Sequence, residues 1–126
     1  MGVPKMKCII AGSRSINDYS LLNKVISKYN LYNIITTVVC GEALGFDKLG
    51  KLWAEEHSIE VLSFPARWDV FGKSAGYRRN EAMAHLADAA IVVHNGSPGS
   101  RHMVEIAKKF GLKLYEEIIN VTNNTQ

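Results

Sequence analysis

Short apolar runs alternate with amphipathic segments along nearly the whole chain, and this alternation restricts the possible folds more than any other feature. The runs carry few polar residues, which is typical of parallel strands covered by helices on both faces. Five strands are predicted, at residues 7–11, 34–40, 59–64, 89–94 and 112–119. The chain is therefore expected to form an α/β three-layer sandwich, with a central parallel sheet of about five strands and right-handed crossovers.

Apolar residues at helical spacing mark four segments between or after these strands. The segments span residues 21–29, 46–53, 75–86 and 103–110. Asn17 or Asp18 is the predicted N-cap of the first helix. Ser100 is the predicted N-cap of the fourth helix, which should end at Gly111. Leu86 is expected on the buried side of the third helix.

Length and composition exclude several classes of protein. A chain of 126 residues with a hydrophobic fraction of 47% predicts one domain over residues 1–126, with a frayed polar tail from about residue 120. It shows no secretory signal and no apolar run of the roughly 18 residues that a membrane span needs, so a cytoplasmic location is expected. Cys8 and Cys40 lie in apolar runs and are predicted to be buried, reduced thiols.

Basic and small residues cluster where predicted strands are followed by helices. The arginines lie in loops or first helical turns after strands, at positions 14, 67, 78, 79 and 101. Guanidinium groups suit bidentate recognition of phosphate or carboxylate. Glycine-containing turns follow strands at 12–14, 41–45 and 96–100, and the main-chain amides of the first and last of these turns are expected to hold phosphate. Neither a Walker A loop nor a Gly-x-Gly-x-x-Gly motif occurs.

A series of short motifs covers most of the chain. In order, they are Gly12-Ser-Arg14, Gly41-x-Ala-x-Gly-x-Asp47, Trp53-Ala54, Phe64-Pro-Ala-x-Trp68, Gly72-Lys-x-Ala-Gly76, Arg79-Asn-x-x-Met83 and Gly96-Ser-x-Gly-Ser100. This combination resembles the SLOG superfamily of Rossmann-like proteins, which includes DprA/Smf and the LOG phosphoribohydrolases, and especially its small single-domain bacterial and phage members. The resemblance implies a nucleotide or nucleotide-derived ligand at the strand ends, and a homodimer or larger homo-oligomer. In such an oligomer, Arg67 or Arg101 of one subunit would reach the ligand of its neighbour.

The leading functional prediction is a module that binds a phosphate-bearing nucleotide or nucleotide-derived signal, as a sensor or a sequestering protein. The phosphate charge is expected to be neutralised by Arg14, Lys73, Arg78, Arg79 and Arg101. The predicted ligand set consists of Gly12, Ser13, Arg14, Gly41, Glu42, Gly45, Asp47, Arg67, Trp68, Lys73, Gly76, Arg78, Arg79, Asn80, Asn95, Gly96, Ser97, Gly99, Ser100 and Arg101. No cofactor and no metal site are predicted, because the histidines show no metal-ligand spacing with carboxylates or cysteines.

Bulky aromatic residues near this edge leave two interpretations open. Trp68 and Tyr77 either stack on a base or pack under the long loop that precedes the third helix. Some of Trp53, Phe71 and Tyr77 are expected at a subunit interface or over the ligand, because a domain of this size has limited room to bury them all.

A second hypothesis is hydrolysis of the N-glycosidic bond in a nucleoside monophosphate. LOG-type hydrolases resemble this chain at Arg79, but their Gly-Gly-x-Gly-Thr-x-x-Glu turn carries a catalytic glutamate whose place falls here on Met103. A thioether cannot transfer a proton, so Glu42 or Asp47 would have to act as the general base. Both also have structural interpretations, Glu42 as the partner of a neighbouring arginine and Asp47 as a helix N-cap.

A third hypothesis, single-stranded nucleic-acid binding, follows from the DprA-like kinship. However, the net charge of +3 is small, and the arginines indicate one compact site rather than a track along the surface. Neither nucleic acid nor a membrane is therefore expected as a partner.

Overall fold

The computed structural model describes residues 5–41 and 45–119, and it contains every strand and helix that the sequence predicts. The strands are β1 (Met6–Gly12), β2 (Ile35–Cys40), β3 (Glu60–Ser63), β4 (Ala89–His94) and β5 (Lys113–Ile118). The helices are α1 (Tyr19–Lys28), α2 (Phe46–Glu56), α3 (Trp68–Phe71), α4 (Ala75–Leu86) and α5 (Pro98–Lys109), with a 3₁₀ turn at Gly72–Ser74. The short helix α3 and the 3₁₀ turn were not predicted, because one turn is too short to show an apolar period. None of the described helices is long and apolar enough to cross a membrane.

The described strands form one parallel sheet in the order β3-β2-β1-β4-β5. The chain builds outward from β1 to β3, then crosses to the other side of β1 to form β4 and β5. The strand order therefore reverses between β1 and β4, where Gly12 is in register with Val93. Open parallel sheets bind ligands beyond the carboxyl ends of the strands at such a switch point.

Alternate residues of the central strands face two different helical layers. Cys8 and Ile10 of β1 belong to an apolar cluster shared with α1 and α2, whereas Ile9 and Ala11 belong to a cluster shared with α4 and α5. The central-strand residues predicted to be buried are all buried: Cys8, Ile9, Ile10, Val38, Val39, Ile91, Val92 and Val93. Helices thus cover both faces of the sheet, as near-continuous apolar strands require.

Local chemistry explains where the first and last helices begin or end. Asp18 caps α1, because its Oδ1 accepts a hydrogen bond at 3.0 Å from the main-chain N–H two residues later. Gly111 follows α5 with a φ of 73°, the left-handed conformation that ends many helices. The predicted N-cap of α5 is wrong: Ser97 occupies that position and Ser100 lies in the first turn. The helix begins earlier because Pro98, with its fixed φ, suits the first helical position.

One side chain, Leu86, lies elsewhere than predicted. Leu86 is 43% exposed, because the buried stripe at the end of α4 runs through Met83 and Ala84 and leaves Leu86 to one side. Of the three bulky aromatic residues considered for an interface or the ligand, Trp53 is completely buried, because it lies on the inner face of α2. There its ring packs against His57, with 4.6 Å between the ring centroids.

Both cysteines are buried and form no disulfide, as predicted. Burial raises the pKa of Cys8 to about 12. Because the thiolate is the reactive form, this environment keeps Cys8 unreactive at neutral pH.

Candidate functional site

A cavity of about 840 Å³ opens at the carboxyl edge of the sheet, beyond the ends of β1 and β4. Its walls come from the turn after β1, from α3, from the start of α4 and from the turn that leads into α5. The lining residues are Ala11, Gly12, Ser13, Arg14, Ser15, Asp47, Trp68, Lys73, Gly76, Tyr77, Arg79, Asn80, Asn95, Ser97, Pro98, Gly99, Ser100 and Met103. The switch point of the sheet thus carries a concave site.

The ligand set predicted from the sequence divides into residues that line the cavity and residues that do not. The lining members are Gly12, Ser13, Arg14, Asp47, Trp68, Lys73, Gly76, Arg79, Asn80, Asn95, Ser97, Gly99 and Ser100. The described members outside the lining are Gly41, Gly45, Arg67, Arg78, Gly96 and Arg101. Glu42 lies outside the described residues.

Some lining residues were missed in the sequence. They are Ala11, Ser15 and Pro98, whereas Tyr77 and Met103, which also line the cavity, were considered in the sequence but not included in the predicted ligand set. Each of them is adjacent to a predicted member or lies one helical turn beyond one. The predicted ligand set would have included them if it had been extended by one residue at the strand ends and first helical turns, and by one turn along α5.

The main-chain amides of the turn after β1 donate hydrogen bonds to acceptors within the protein. The Gly12 N–H donates to the Asp47 carboxylate at 3.1 Å. The Ser13 N–H donates to the Val93 carbonyl, also at 3.1 Å. A Cβ on Gly12 would lie 2.1 Å from that same carbonyl oxygen, so only glycine fits between β1 and β4 here. The amides of Gly12 and Ser13 are therefore bound to protein acceptors, contrary to the expectation that they hold phosphate.

A buried hydroxyl ties this turn to the turn after β4. Ser13, which is 2% exposed, accepts a hydrogen bond from the Asn95 N–H at 3.0 Å. Its Oγ also donates to Asn95 Oδ1 at 2.9 Å and lies 2.8 Å from Ser97 Oγ. Ser97 Oγ in turn donates to Ser100 Oγ at 3.1 Å. This network holds the two turns in a fixed relation at the base of the cavity.

The turn into α5 leaves main-chain amides at the cavity wall. The first hydrogen bond of the helix runs from the Arg101 N–H to the Ser97 carbonyl at 3.0 Å. Gly99 and Ser100 precede this bond, at positions where an α-helix offers N–H groups no partner of its own. Both residues line the cavity, and the helix macrodipole adds partial positive charge there. The geometry suits an anion.

Buried His94 supports the same turn from behind. Its Nδ1 accepts a hydrogen bond from the Gly96 N–H at 3.0 Å, so the ring proton lies on Nε2. Nε2 donates to the Glu116 carboxylate of β5 at 2.7 Å. The amide of Gly96, another predicted phosphate ligand, is thus bound within the protein. The first turn of α5 remains as the donor surface.

Three cationic side chains line the cavity. Arg14 and Lys73 are exposed, and neither has an ion-pair partner among residues 5–41 and 45–119. Arg79 is only partly exposed and is held in place. Its Nη1 donates to the Gly41 carbonyl at 2.6 Å, and its Nε donates to Asn80 Oδ1 at 3.1 Å. Arg79 therefore has a structural role besides any contact with a ligand.

The other arginines have different surroundings. Arg67 forms an exposed ion pair with Asp69 at 3.2 Å, which lowers the pKa of that carboxyl. The Arg78 guanidinium lies over the Phe71 ring, 4.6 Å from its centroid. Arg101 is exposed on α5, outside the lining. Basic charge at the cavity thus comes from fewer groups than the sequence predicts.

Two groups that bear on catalysis line the cavity. Asp47 is 4% exposed and lies in the first turn of α2, whose N-cap is Gly45. The capping interpretation of Asp47 is therefore wrong, and the carboxylate instead holds the Gly12 amide. Met103 is 1% exposed, and it places a thioether where LOG-type hydrolases carry their glutamate.

Two aromatic side chains also line the cavity. Trp68 is 60% exposed and Tyr77 is 47% exposed. The Tyr77 ring stacks on His102 with 4.1 Å between centroids and 24° between planes. Partial burial lowers the pKa of His102, which favours its neutral form. The Asn80 amide nitrogen lies 3.1 Å from His102 Nδ1. In the neutral ring, this unprotonated nitrogen accepts a hydrogen bond from the Asn80 amide.

Comparison with known proteins agrees with this fold. The model of the YspA, cpYpsA-related SLOG family, called YAcAr, matches residues 6–71. A solved structure of DNA processing protein A (DprA) from Streptococcus pneumoniae matches with a TM-score of 0.75 at 21% identity, over 93% of this chain and 52% of that chain. This chain thus spans about half the length of DprA, and the likeness concerns the fold alone. No curated protein matches the sequence significantly. Because the family model covers just over half of the residues, the chain belongs to the YAcAr family of SLOG proteins.

Proposed function

We propose that this protein binds a phosphate-bearing nucleotide or nucleotide-derived signal in the cavity, as a sensor or a sequestering module. The observation that carries the proposal is one concave site lined by the first turn of α5 and by two cations, Arg14 and Lys73, that have no ion-pair partner within the described part of the chain. Membership of a SLOG family supports a nucleotide-related ligand.

The charges of the described lining favour an anion. Arg14, Lys73 and Arg79 line the cavity, and Asp47 is the one carboxylate among the described lining residues. The three cations outnumber this carboxylate, and the start of α5 adds partial positive charge. Each charge-assisted hydrogen bond to a phosphate oxygen typically contributes about 1.5–3 kcal/mol.

The size of the cavity favours a small molecule over a polymer. Its volume of about 840 Å³ lies within the range of roughly 300–1,000 Å³ that is common for small-molecule sites. The arginines outside the lining, Arg67, Arg78 and Arg101, do not extend it into a basic groove. A compact nucleotide or dinucleotide fits this arrangement better than a nucleic-acid strand.

Truncation of Arg14 is the sharpest test of the proposal. Calorimetric titration with nucleoside mono- and diphosphates and dinucleotides would identify a ligand, with the unphosphorylated nucleosides as a comparison. We expect Arg14→Ala to weaken phosphate-bearing ligands about ten- to a hundred-fold, and to leave the free energy of unfolding nearly unchanged. Lys109→Ala is the matched control, because Lys109 is an exposed cation at the other end of α5. Arg79→Ala is less suitable, because it also removes the bond to the Gly41 carbonyl.

The proposal would be wrong if nucleosides bound as tightly as nucleotides, or if the Arg14 and Lys109 variants behaved alike. Native mass spectrometry of the purified protein would reveal any retained small molecule. It would also count subunits, since a homodimer or larger homo-oligomer stays a prediction. Arg101→Ala tests whether a neighbouring subunit contributes to the site, because Arg101 does not line the cavity of its own chain.

A second candidate function is hydrolysis of a nucleotide N-glycosidic bond, and buried Asp47 in the lining is the observation in its favour. Against it, Met103 occupies the position of the LOG-type glutamate, and Asp47 already binds the Gly12 amide. Release of free base from nucleoside monophosphates, abolished by Asp47→Asn, would favour the enzyme over the binding module.

A third candidate, single-stranded DNA binding, draws its support from the fold shared with DNA processing protein A. Binding to the phosphate backbone would show a steep dependence on salt. Retention of the protein on single-stranded DNA at physiological salt, lost at high salt, would favour this candidate over a small-molecule ligand.

A further inference from the structure

We propose that Trp68 and Tyr77 form a base-stacking wall, and that the ligand is a nucleotide whose base lies against these rings. This inference rests on the proposed function and narrows its ligand class. The sequence left open whether these side chains stack on a base or pack under a loop. Their exposures of 60% and 47% argue against packing, because a packed aromatic side chain would be largely buried.

The six-membered ring of Trp68 lies beside Gly76 at the start of α4. A Cβ built on Gly76 would lie 3.4 Å from the indole Cη2, at ordinary van der Waals contact. Both residues line the cavity. An aromatic ring that is supported along one edge and otherwise open offers a preformed apolar surface at low conformational cost.

Tyr77 is oriented by side chains that reach the first turn of α5. His102 covers one face of its ring at 4.1 Å, so its exposed area lies mainly on the opposite face. The Asn80 amide nitrogen lies 3.1 Å from His102 Nδ1 and also donates to the Gly99 carbonyl at 3.3 Å. The stacking wall and the first turn of α5 also line the same cavity, as a nucleotide that contacts both requires.

Neighbouring apolar residues on the same short helix do not share this arrangement. Phe71 is covered by the Arg78 guanidinium at 4.6 Å, and neither Phe71 nor Val70 lines the cavity. The exposed aromatic surface at the cavity therefore comes from Trp68 and Tyr77. A ligand with a phosphate at one end and a planar ring at the other matches both ends of this site.

The two tryptophans of the chain provide an optical probe. Trp53 is completely buried, whereas Trp68 is exposed at the cavity. Titrating AMP into a Trp53→Phe variant should quench the remaining indole emission, and titrating ribose 5-phosphate should not. Calorimetry does not need the Trp53→Phe variant, so it avoids any effect of that substitution on folding. In the natural background, Trp68→Leu should weaken AMP about 5- to 150-fold and leave ribose 5-phosphate unchanged.

Phe71→Leu is the matched control, because it removes an exposed aromatic residue from α3 without touching the cavity lining. It should bind AMP as the natural protein does. If AMP and ribose 5-phosphate bind equally well and Trp68→Leu changes neither, the stacking wall is overturned while phosphate binding stands. If neither compound binds the natural protein, both proposals fail. If Trp68→Leu changes the subunit number instead of AMP affinity, Trp68 is an interface residue and the inference is wrong.

Discussion

Two turns of similar composition meet at the switch point of the sheet and use their main chains in opposite ways. The turn after β1 contains Gly12 and Ser13, whose amides donate to Asp47 and to β4. The turn after β4 leads into α5, where the amides of Gly99 and Ser100 lie at an open helix start. A glycine- and serine-rich turn therefore indicates an anion site only where the following helix leaves its first amides at a cavity.

Position in the sheet explains the difference. Gly12 is still in register with β4, so its surroundings are those of a central strand. The second turn lies beyond the last residue of β4. Its Asn95 and Gly96 amides are bound within the protein, and the first turn of α5 that follows it lines the cavity. Ser13 connects the two, because its hydroxyl bonds to Asn95 in the second turn. The first turn is thus a structural support for the second.

Glycine-to-alanine substitution at each site should give the largest difference in the free energy of unfolding. Gly12→Ala places a Cβ 2.1 Å from the Val93 oxygen, so we expect a loss of about 3 kcal/mol or more in the free energy of unfolding, or no folded protein. A Cβ on Gly99 meets nothing within 4 Å, so Gly99→Ala should be neutral or slightly stabilising. Urea denaturation of both variants measures the contrast, and equal effects would contradict the assigned roles.

Removing the acceptor of the first turn should have an intermediate effect. Asp47→Ala leaves the Gly12 N–H without its carboxylate partner, and we expect a loss of about 1–3 kcal/mol in unfolding free energy. Asp69→Ala is the control, because Asp69 is 70% exposed and forms only a surface ion pair. Asp47→Asn should recover part of the loss, since an amide oxygen can accept the same hydrogen bond. A loss as small as that of Asp69→Ala would mean that the first turn does not depend on this bond.

Acid should slightly lower the free energy of unfolding through His102, which stacks on Tyr77 beside the second turn. The pKa of His102 is lowered by partial burial, against the raising influence of Glu81 and Glu105. The unfolded chain therefore binds more protons than the folded one, so stability should fall as pH drops below about 6.5. His102→Phe keeps a ring against Tyr77 and cannot titrate. Its unfolding free energy should depend less on pH between about 5 and 7, and an unchanged dependence would exclude this contribution.

Several features were predictable because they depend on local chemistry. The apolar strands, the helical spacing, the Asp18 cap and the stop at Gly111 all follow from residues close together in the chain. The motif series likewise identified the SLOG superfamily. The short helix α3 lacked such a signal. Leu86 was predicted on the wrong side of its helix, because the exact edge of a buried face depends on the neighbouring elements.

The amino-acid sequence by itself determined the order of strands and helices, the parallel sheet and the edge of the sheet at which the cavity opens. These depend on hydrophobic periodicity and chain connectivity, which a linear pattern carries. Tertiary structure alone decided which amides stay available, because the acceptors of Gly12 and Ser13 lie far away in the chain, at Asp47 and Val93. It also decided which cations line the cavity and that Trp68 is exposed while Trp53 is buried. Exposure and hydrogen-bond pairing depend on residues brought together only by folding, so the local pattern does not contain them.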